Sequence, residues 1–149
     1  MVGCIALLDA CTLYSAMLRD IFMWLHHVML FEPRWTDEIM AEWKNHVKIN
    51  HPDIDSSKLD DRERIMNMWA SAARVDNYGY LIETLDELND KNDRHVLAAA
   101  IHTGAKYIVT FDSGFFSDIK IMIKYNIIPI NPDDFICGLL EENQSSVIA

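Results

Sequence analysis

Two acidic residues stand at the ends of one largely apolar stretch of the chain. Residues 92–112 read NDRHVLAAAIHTGAKYIVTFD and place Asp93 and Asp112 near its two ends. A third acid, Asp9, ends the apolar run CIALLD. Carboxylates without an accompanying set of Cys or His favour Mg²⁺ or Mn²⁺ over zinc. Ions held in this way suit phosphodiester hydrolysis, because they activate water and stabilise charge on the phosphate.

The elements that carry these acids predict where the acids meet. CIALLD reads as a buried strand that ends at Asp9, and KYIVTFD reads as a strand that ends at Asp112. Between Asp93 and Gly104, small residues at helical spacing predict a helix that stops at the glycine. In a parallel sheet, strand C-termini and the N-termini of antiparallel packed helices share one edge. We therefore expect Asp9, Asp93 and Asp112 to converge in the crevice where open α/β sheets bind ligands.

Electrostatic repulsion between the three carboxylates opposes such a cluster. At about 4 Å and an effective dielectric constant near 20, each pair of carboxylates costs roughly 4 kcal/mol. Three such pairs cost about as much as the stability of a whole domain. We therefore expect the acids to be spread apart, partly protonated or neutralised by a cation.

Each acid also has an ordinary structural interpretation. Asp93 or Asp90 can cap the helix that follows, and Asp112 can be a turn residue before the Ser-Gly pair. Glu42 lies beside the apolar face of a predicted helix and is by default solvated. Periodicity does not bring Glu42 to the crevice, so the sequence pattern leaves both interpretations open.

The rest of the chain alternates between helical and strand patterns. A helix is predicted from about Thr12, and another follows the N-cap Thr36. A loop is predicted at 51–60 and a helix at 60–74, and the apolar face of this helix consists of Ile65, Met68, Trp69, Ala72 and Ala73. The elements predicted after it are a short strand at 78–84, a helix in FFSDIKIMIKY, a strand in NIIPI and a final short helix in PDDFICGLLEE. This alternation predicts a three-layer α/β domain, with a central mainly parallel sheet flanked by helices.

Composition narrows the class of protein. The 149 residues, half of them apolar, suffice for one domain, taken as residues 1–141 with a tail at 142–149. The net charge of −10 argues against a broad basic face for nucleic acid, but acids around bound cations remain compatible with a nucleic-acid enzyme. A membrane-spanning run and a signal peptide are absent from the sequence, which predicts a cytoplasmic protein. The three cysteines form no metal-binding motif and are expected to be reduced.

Four segments resemble a known family over about residues 4–137. They are LLDACTLYS, PRWTDEIMAEW, NDRHVLAAAIHTGAKYIVTFD and IIPINPDDF. The chain resembles PIN domain proteins, and within them the VapC-like toxin branch of bacterial toxin–antitoxin systems. The third segment is the most specific, since an acid followed by RHVLAAA and, after a Gly-Ala turn, by IVTFD is hard to obtain by chance.

The resemblance implies an activity, a cofactor and partners. A similar protein would be a Mg²⁺- or Mn²⁺-dependent endoribonuclease with one or two ions, and the toxin of a type II toxin–antitoxin system. It would act on RNA, be inhibited by a cognate antitoxin and form a homodimer. A membrane is not expected among its partners. Asp9, Glu42, Asp93 and Asp112 match the four acidic positions in that order, and are the implied metal ligands and catalytic residues.

Residues beside these acids have open roles. Thr110 either donates a hydrogen bond to an adjacent carboxylate or to metal-associated water, or simply fills the strand end. Asp90 is an auxiliary ligand or, as the favoured alternative, a helix-entry residue. Arg94 pairs with an acid of the site, touches RNA phosphate or is solvated. Phe115 stands where relatives of this branch often carry a further acid, which puts the second metal ion in question.

Other residues are expected to serve structure or partner binding. His95 is expected to make a structural hydrogen bond rather than act as a general acid. The apolar run at 21–31 is a candidate for a dimer or antitoxin interface. The tryptophans are expected mainly in the core or in subunit contacts, with base stacking as the alternative; they are Trp24, Trp35, Trp43 and Trp69.

Two other functions compete with the ribonuclease. A catalytically silent PIN fold that serves as a binding module would keep the fold without turnover. A phosphoryl-transfer or receiver-like protein would use Asp9 as the phosphate acceptor. The second is disfavoured, because Asp9 lies in no D-x-D motif and no partner lysine follows the strand that ends at Asp112.

Overall fold

A parallel sheet forms the centre of the molecule. The computed structural model describes residues 1–85, 88 and 90–148, with side chains up to residue 144. The strands are β1 (Ile5–Leu8), β2 (Glu32–Arg34), β3 (Tyr107–Val109) and β4 (Ile128–Ile130). Their order is β2-β1-β3-β4, and every neighbouring pair is parallel. Layers of helices flank this sheet, which confirms the predicted three-layer α/β architecture.

Helices make up most of the remaining structure. They are α1 (Ala10–Leu13), α2 (Ala16–His27), α3 (Asp37–Asn50), α4 (Ser56–Trp69), α5 (Gly79–Ile82), α6 (Arg94–Thr103), α7 (Ser113–Ser117), α8 (Ile119–Lys124) and α9 (Pro132–Ile148). A single 3₁₀ turn, Lys91–Asp93, leads into α6. Within the described ranges, none of these helices is both long enough and apolar enough to cross a bilayer.

The order of the strands creates the crevice that the sequence predicts. β1 and β3 are the two central strands, and the chain reaches β2 on one side of β1 but β3 and β4 on the other. Ligands of open α/β sheets bind where the strand order reverses in this way, beyond the carboxyl ends of the strands. The register pairs Leu8 with Val109, so the residues that follow, Asp9 and Thr110, lie side by side at that edge.

The core packs small residues against the sheet and large ones around its edges. Ala98, Ala99 and Ala100 of α6 are fully buried, and their small side chains let the helix lie close to β1 and β3. Trp35 and Trp43 are fully buried, as expected for core tryptophans. Trp24 and Trp69 differ, since each is 62% exposed and neither packs in the core. For these two, the alternative of subunit contacts stays a prediction.

Two predicted elements in the middle of the chain are wrong. The loop predicted at 51–60 gives way to a helix at Ser56, because the Asp55 side chain accepts a hydrogen bond from Ser57 N and starts α4. The strand predicted at 78–84 is the short helix α5. Its backbone bonds close locally, from Leu81 N to Tyr78 O and from Thr84 N to Leu81 O, so the segment has no strand pairing.

The helix predicted at 60–74 exists, but its bounds and its buried face differ. α4 ends at Trp69, and the residues it buries are Leu59 and Met66. Four members of the predicted apolar face are exposed, namely Ile65, Met68, Trp69 and Ala72. Periodicity identified an apolar surface, but within the part of the chain that the structure describes no other element covers it.

The last helix is longer than predicted. α9 continues from Pro132 to Ile148 and so runs through most of the predicted tail, whose final residue, Ala149, lies outside the described residues. Glu142 Oε1 accepts hydrogen bonds from the N-terminal amine of Met1 at 3.2 Å and from Val2 N at 3.3 Å. The division of the chain at residue 141 stays a prediction.

Loss of the α3 N-cap should destabilise the fold. Thr36 is fully buried, and its hydroxyl oxygen accepts a hydrogen bond from Ile39 N at 3.0 Å. We expect Thr36→Ala to lower the free energy of unfolding by about 1–2 kcal/mol, because the Ile39 amide loses its acceptor. Urea denaturation would measure the change. Thr36→Ser keeps the hydroxyl and should lose less; equal losses in the two variants would contradict the capping role.

Candidate active site

Asp9 is held rigidly at the C-terminal end of β1. Its Oδ1 accepts a hydrogen bond from Ala10 N at 2.8 Å, and its Oδ2 accepts one from the Thr110 hydroxyl at 2.8 Å and a weaker one from Cys11 Sγ at 3.6 Å. The residue is only 7% exposed. Burial raises the pKa of Asp9, while the hydrogen bonds from Thr110 and Ala10 act in the opposite direction. This carboxylate therefore has a fixed position and two donors that favour its charged form.

Thr110 links two of the predicted acids. Its hydroxyl donates to Asp9 Oδ2 and accepts from Asp112 N at 2.9 Å. The hydrogen bond to an adjacent carboxylate is thus present, beside the role of Thr110 in the buried end of β3.

Asp93 and Asp112 form a hydrogen-bonded pair of carboxyl groups. Burial, the hydrogen bond to Asp112 and the nearby charges of Asp112, Asp90 and Asp9 raise the pKa of Asp93 to about 8. The helix-cap interpretation fails for Asp93, because its side chain makes no capping hydrogen bond at α6. Asp112 does cap a helix, since its Oδ1 accepts from Gly114 N at 2.8 Å at the start of α7. At neutral pH Asp93 therefore holds a proton where a cation would otherwise be needed.

Gly114 makes room for this pair, and sequence reasoning missed it. A Cβ at Gly114 would lie 2.9 Å from Asp93 Oδ2 and 3.1 Å from Asp112 Oδ1. The first distance is shorter than real Cβ contacts and the second is tighter than most, so a side chain at position 114 would push the carboxyl groups away. A glycine lets both of them approach. The next residue, Phe115, is fully buried in the core, so the position that is acidic in some relatives carries a packing residue in this chain. The only sequence signal for Gly114 was its place two residues after Asp112.

Glu42 reaches the site through α3, which periodicity alone did not predict. Its Oε1 lies 2.8 Å from Nε2 of His95, and the imidazole is buried. Burial lowers the pKa of His95, but the hydrogen bond to Glu42 and the charges of Glu42 and Glu38 outweigh burial and raise it. The expected hydrogen-bonding role of His95 is therefore present in the structure.

One cavity of about 620 Å³ collects the predicted acids. Asp9, Glu42, Asp93 and Asp112 all line it, together with Asp90. Its wall also includes polar residues that sequence reasoning did not select, His46 and Asn92, as well as Ala10, Cys11, Val96 and Phe111. All four acids implied by the family resemblance thus face one space, although the first lies more than a hundred residues from the last.

The two remaining candidates have structural contacts. Asp90 Oδ1 accepts a hydrogen bond from Asn92 N at 2.9 Å and so begins the turn that leads into α6, as the favoured helix-entry role requires. Arg94 Nη2 donates to Leu88 O at 3.4 Å, and Arg94 is not among the residues that line the cavity.

The donor set fits a hard divalent cation by its chemistry. The four acids offer oxygen atoms only. Burial and the neighbouring carboxyl groups of Asp112, Asp90 and Asp9 raise the pKa of Asp93, so a cation in place of its proton would relieve the repulsion. Among the described residues, no group of three or more His, Cys, Asp or Glu side chains is placed to coordinate a metal ion in its present conformation. Ion binding would therefore require side-chain adjustment in the cavity.

Removal of the Thr110 hydroxyl should weaken the site and the fold. We expect Thr110→Val to lower the free energy of unfolding by about 1–3 kcal/mol, because the buried carboxylate of Asp9 loses a donor and the half-buried Asp112 amide loses its acceptor. Urea denaturation would measure this loss. Thr110→Ser keeps the hydroxyl and serves as the control; a serine variant as unstable as the valine variant would show that the methyl group matters instead.

Comparison with known proteins agrees with this architecture. Residues 6–114 match the PIN domain family. A chain in the crystal structure of VapBC2 from Rickettsia felis, bound to a DNA fragment from the promoter, superposes with a TM-score of 0.53 at 16% identity, covering 85% of this chain and 98% of that chain. At that identity the likeness shows the fold alone. Functionally curated proteins give no significant match. Since the family match spans most of the chain and includes Asp9, Glu42, Asp93 and Asp112, the chain belongs to the PIN domain family.

Proposed function

We propose that this PIN domain is an endoribonuclease that depends on Mg²⁺ or Mn²⁺ and hydrolyses RNA phosphodiester bonds. The observation that carries the proposal is the single cavity lined by Asp9, Glu42, Asp93 and Asp112. Four acids in one cavity are costly for a protein that does not bind cations there. Burial and the nearby charges of Asp112, Asp90 and Asp9 raise the pKa of Asp93 at this site. Functional sites are where such perturbed carboxyl groups concentrate.

Each acid has a different part in the proposed mechanism. Asp9, fixed by Thr110 and Ala10, is the rigid member of the site. Asp93 would exchange its proton for one or two divalent ions held together with Asp112, and Glu42 would complete the ligand set from α3. When bound, the ions activate water and offset charge on the scissile phosphate. His46 and Asn92, on the cavity wall, are uncharged or weakly basic groups that can contact the phosphate without adding negative charge.

We further propose that the protein is the toxin of a type II toxin–antitoxin pair, active in the cytoplasm as a homodimer. The neighbour from Rickettsia felis carries the name of a two-component complex, VapBC2. This chain also has an uncovered apolar groove of about 270 Å³ between α2 and α4, lined in part by Met23, Trp24, Ile65 and Trp69. Such a surface suits a protein partner, because exposed apolar patches rimmed by polar residues mark interaction sites. An antitoxin or a second copy of the chain would cover it.

Two competing functions make different predictions. A silent PIN-fold binding module would bind divalent ions in the acid cavity without cutting RNA. A receiver-like protein would take up phosphate on Asp9, but both oxygens of that carboxyl group already accept hydrogen bonds, and no lysine lines the described part of the cavity. The site therefore favours metal-dependent hydrolysis over phosphoryl transfer.

The proposal is tested with purified protein free of antitoxin. The protein is incubated with a mixed cellular RNA pool in Mn²⁺ or Mg²⁺, with a chelator and Asp93→Asn as separate controls. We expect cleavage with the metal alone, and its loss in both controls. Intact RNA in every lane, with metal binding demonstrated by calorimetry, would favour the silent binding module instead.

A further inference from the structure

Three polar side chains form a line of contacts that ends at Glu42, namely Tyr78, Glu38 and His95. Glu42 Oε1 lies 2.8 Å from His95 Nε2, and because a carboxylate only accepts hydrogen bonds, Nε2–H donates. The other ring nitrogen, Nδ1, lies 3.7 Å from Glu38 Oε2. The Tyr78 hydroxyl donates to Glu38 Oε1 at 2.6 Å. The contacts therefore run from Tyr78 through Glu38 and His95 to Glu42.

The positions of helices α3 and α6 determine these contacts. Glu38 and Glu42 are four residues apart on α3, so they lie on the same face, one turn apart. His95 belongs to the first turn of α6 and inserts its ring between them. Nδ1 is buried and makes no hydrogen bond within the described residues, and its 3.7 Å separation from Glu38 is an ion-pair distance. The ring thus faces an acid through each of its nitrogens.

Glu42 needs such support more than Asp9 or Asp93 does. Both aspartates are short and buried, whereas the Glu42 side chain is 42% exposed. A glutamate has three side-chain torsions and loses more rotamer freedom than an aspartate when it is ordered. The hydrogen bond from His95 therefore limits where the Glu42 carboxylate can lie.

Tyr78 is a stable donor at the outer end of the chain of contacts. Burial, the hydrogen bond to Glu38 and the charge of Glu38 raise the pKa of Tyr78 to about 12, so its hydroxyl keeps its proton at physiological pH. The donated hydrogen bond holds Oε1 of Glu38, which leaves Oε2 on the side of His95. Glu38 is thereby oriented even though its side chain is half exposed.

We propose that Tyr78, Glu38 and His95 are positioning residues that hold Glu42 in place as a metal ligand of the acid cavity. The inference rests on the proposed function, since it assigns the support of one of the four proposed ligands. His95 acts on Glu42 directly, Glu38 acts through His95, and Tyr78 acts through Glu38. Outer partners that orient metal ligands are general features of metal sites, and their loss costs about 10- to 100-fold in metal affinity or activity.

The test compares two tyrosine hydroxyls that contact different ends of this arrangement. Tyr78→Phe removes the hydrogen bond to Glu38. Tyr80→Phe removes a hydrogen bond between the Tyr80 hydroxyl and His102 Nδ1, 2.9 Å apart, at the other end of α6. His95→Gln keeps a side-chain N–H donor but changes its position relative to the Glu42 carboxylate. For each variant we would measure Mn²⁺ affinity by calorimetry, kcat and KM for RNA cleavage, and the free energy of unfolding.

The positioning role predicts a specific pattern. His95→Gln should weaken Mn²⁺ binding and lower kcat by about 10-fold or more, and Tyr78→Phe should do so by about 3- to 10-fold, with KM for RNA unchanged in both. Tyr80→Phe should match the native protein in Mn²⁺ affinity. Native Mn²⁺ affinity and kcat in both Tyr78→Phe and His95→Gln would overturn the positioning role and leave the nuclease proposal intact. A native protein that binds no Mn²⁺ would overturn both proposals.

Discussion

Asp93→Asn is expected to abolish RNA cleavage and, at the same time, to stabilise the metal-free protein at alkaline pH. Cleavage should fall by at least about 100-fold, because the change removes a proposed metal ligand rather than only a group that orients one. The asparagine amide can still donate a hydrogen bond to Asp112, so the fold should keep its packing. Activity and stability would then change in opposite directions.

The direction of the stability effect follows from the pKa of Asp93. Its value of about 8 in the folded protein lies above that of an ordinary aspartate, about 3.9, so the folded state binds the proton more tightly than the unfolded state. The stabilising contribution is complete below about pH 4 and is lost as the pH rises through about 8. An asparagine has no such proton to lose.

Thermal unfolding at several pH values would measure this difference. Above about pH 8, in chelator, Asp93→Asn should be more stable than the native protein by at least about 1 kcal/mol. Asp53→Asn, a change in an exposed loop, is the matched control and should alter neither stability nor cleavage. A native protein whose stability stays flat between pH 5 and pH 9 would show that Asp93 does not hold its proton at neutral pH.

Phe135→Ala is expected to cause the largest loss of stability. Phe135 is fully buried, and its ring centroid lies 5.3 Å from that of Phe31, 5.6 Å from Tyr107 and 6.2 Å from Phe22. These contacts join α9 to α2 and β3, so one truncation removes packing from three parts of the core. Truncating a buried phenylalanine to alanine typically costs about 3–5 kcal/mol.

Urea denaturation would test this expectation against a matched truncation. Phe116→Ala makes the same chemical change at a side chain that is 42% exposed, and should cost well under half as much. The residual folded fraction of Phe135→Ala should keep its affinity for Mn²⁺, since Phe135 does not line the acid cavity. Similar losses for the two variants would mean that α9 contributes little to the core.

Convergence of the aspartates was predictable because it depends on topology. Once CIALLD and KYIVTFD are parallel strands, Asp9 and the residues around Asp112 must share an edge, and the helix between them must begin there. Topology also decided between helix and strand for the segment 115–125. Isoleucines alternate there as in a strand, but a parallel crossover requires a helix. The structure has helices there, α7 and α8.

Other parts of the site depend on contacts that local patterns do not encode. Glu42 reaches the cavity because α3 packs near α6 and His95 receives its carboxylate, which is a long-range effect. Gly114 matters only because Asp93, distant in sequence, comes within reach of it. Asp55 looked like a loop residue because the same residue types favour turns and helix caps. Exposure of Trp69 illustrates a further limit, since periodicity defines an apolar face but not what covers it.

Diffraction from Mn²⁺-soaked crystals would show whether the acid cavity binds a divalent cation. An anomalous difference map locates manganese regardless of RNA substrate or antitoxin. We expect a peak in the cavity beside Asp9, Asp93 and Asp112, in contact with Glu42 or a water bound to it, and no such peak in Asp93→Asn. A cavity without a peak, with the carboxyl groups of Asp93 and Asp112 still hydrogen-bonded to each other, would contradict this expectation.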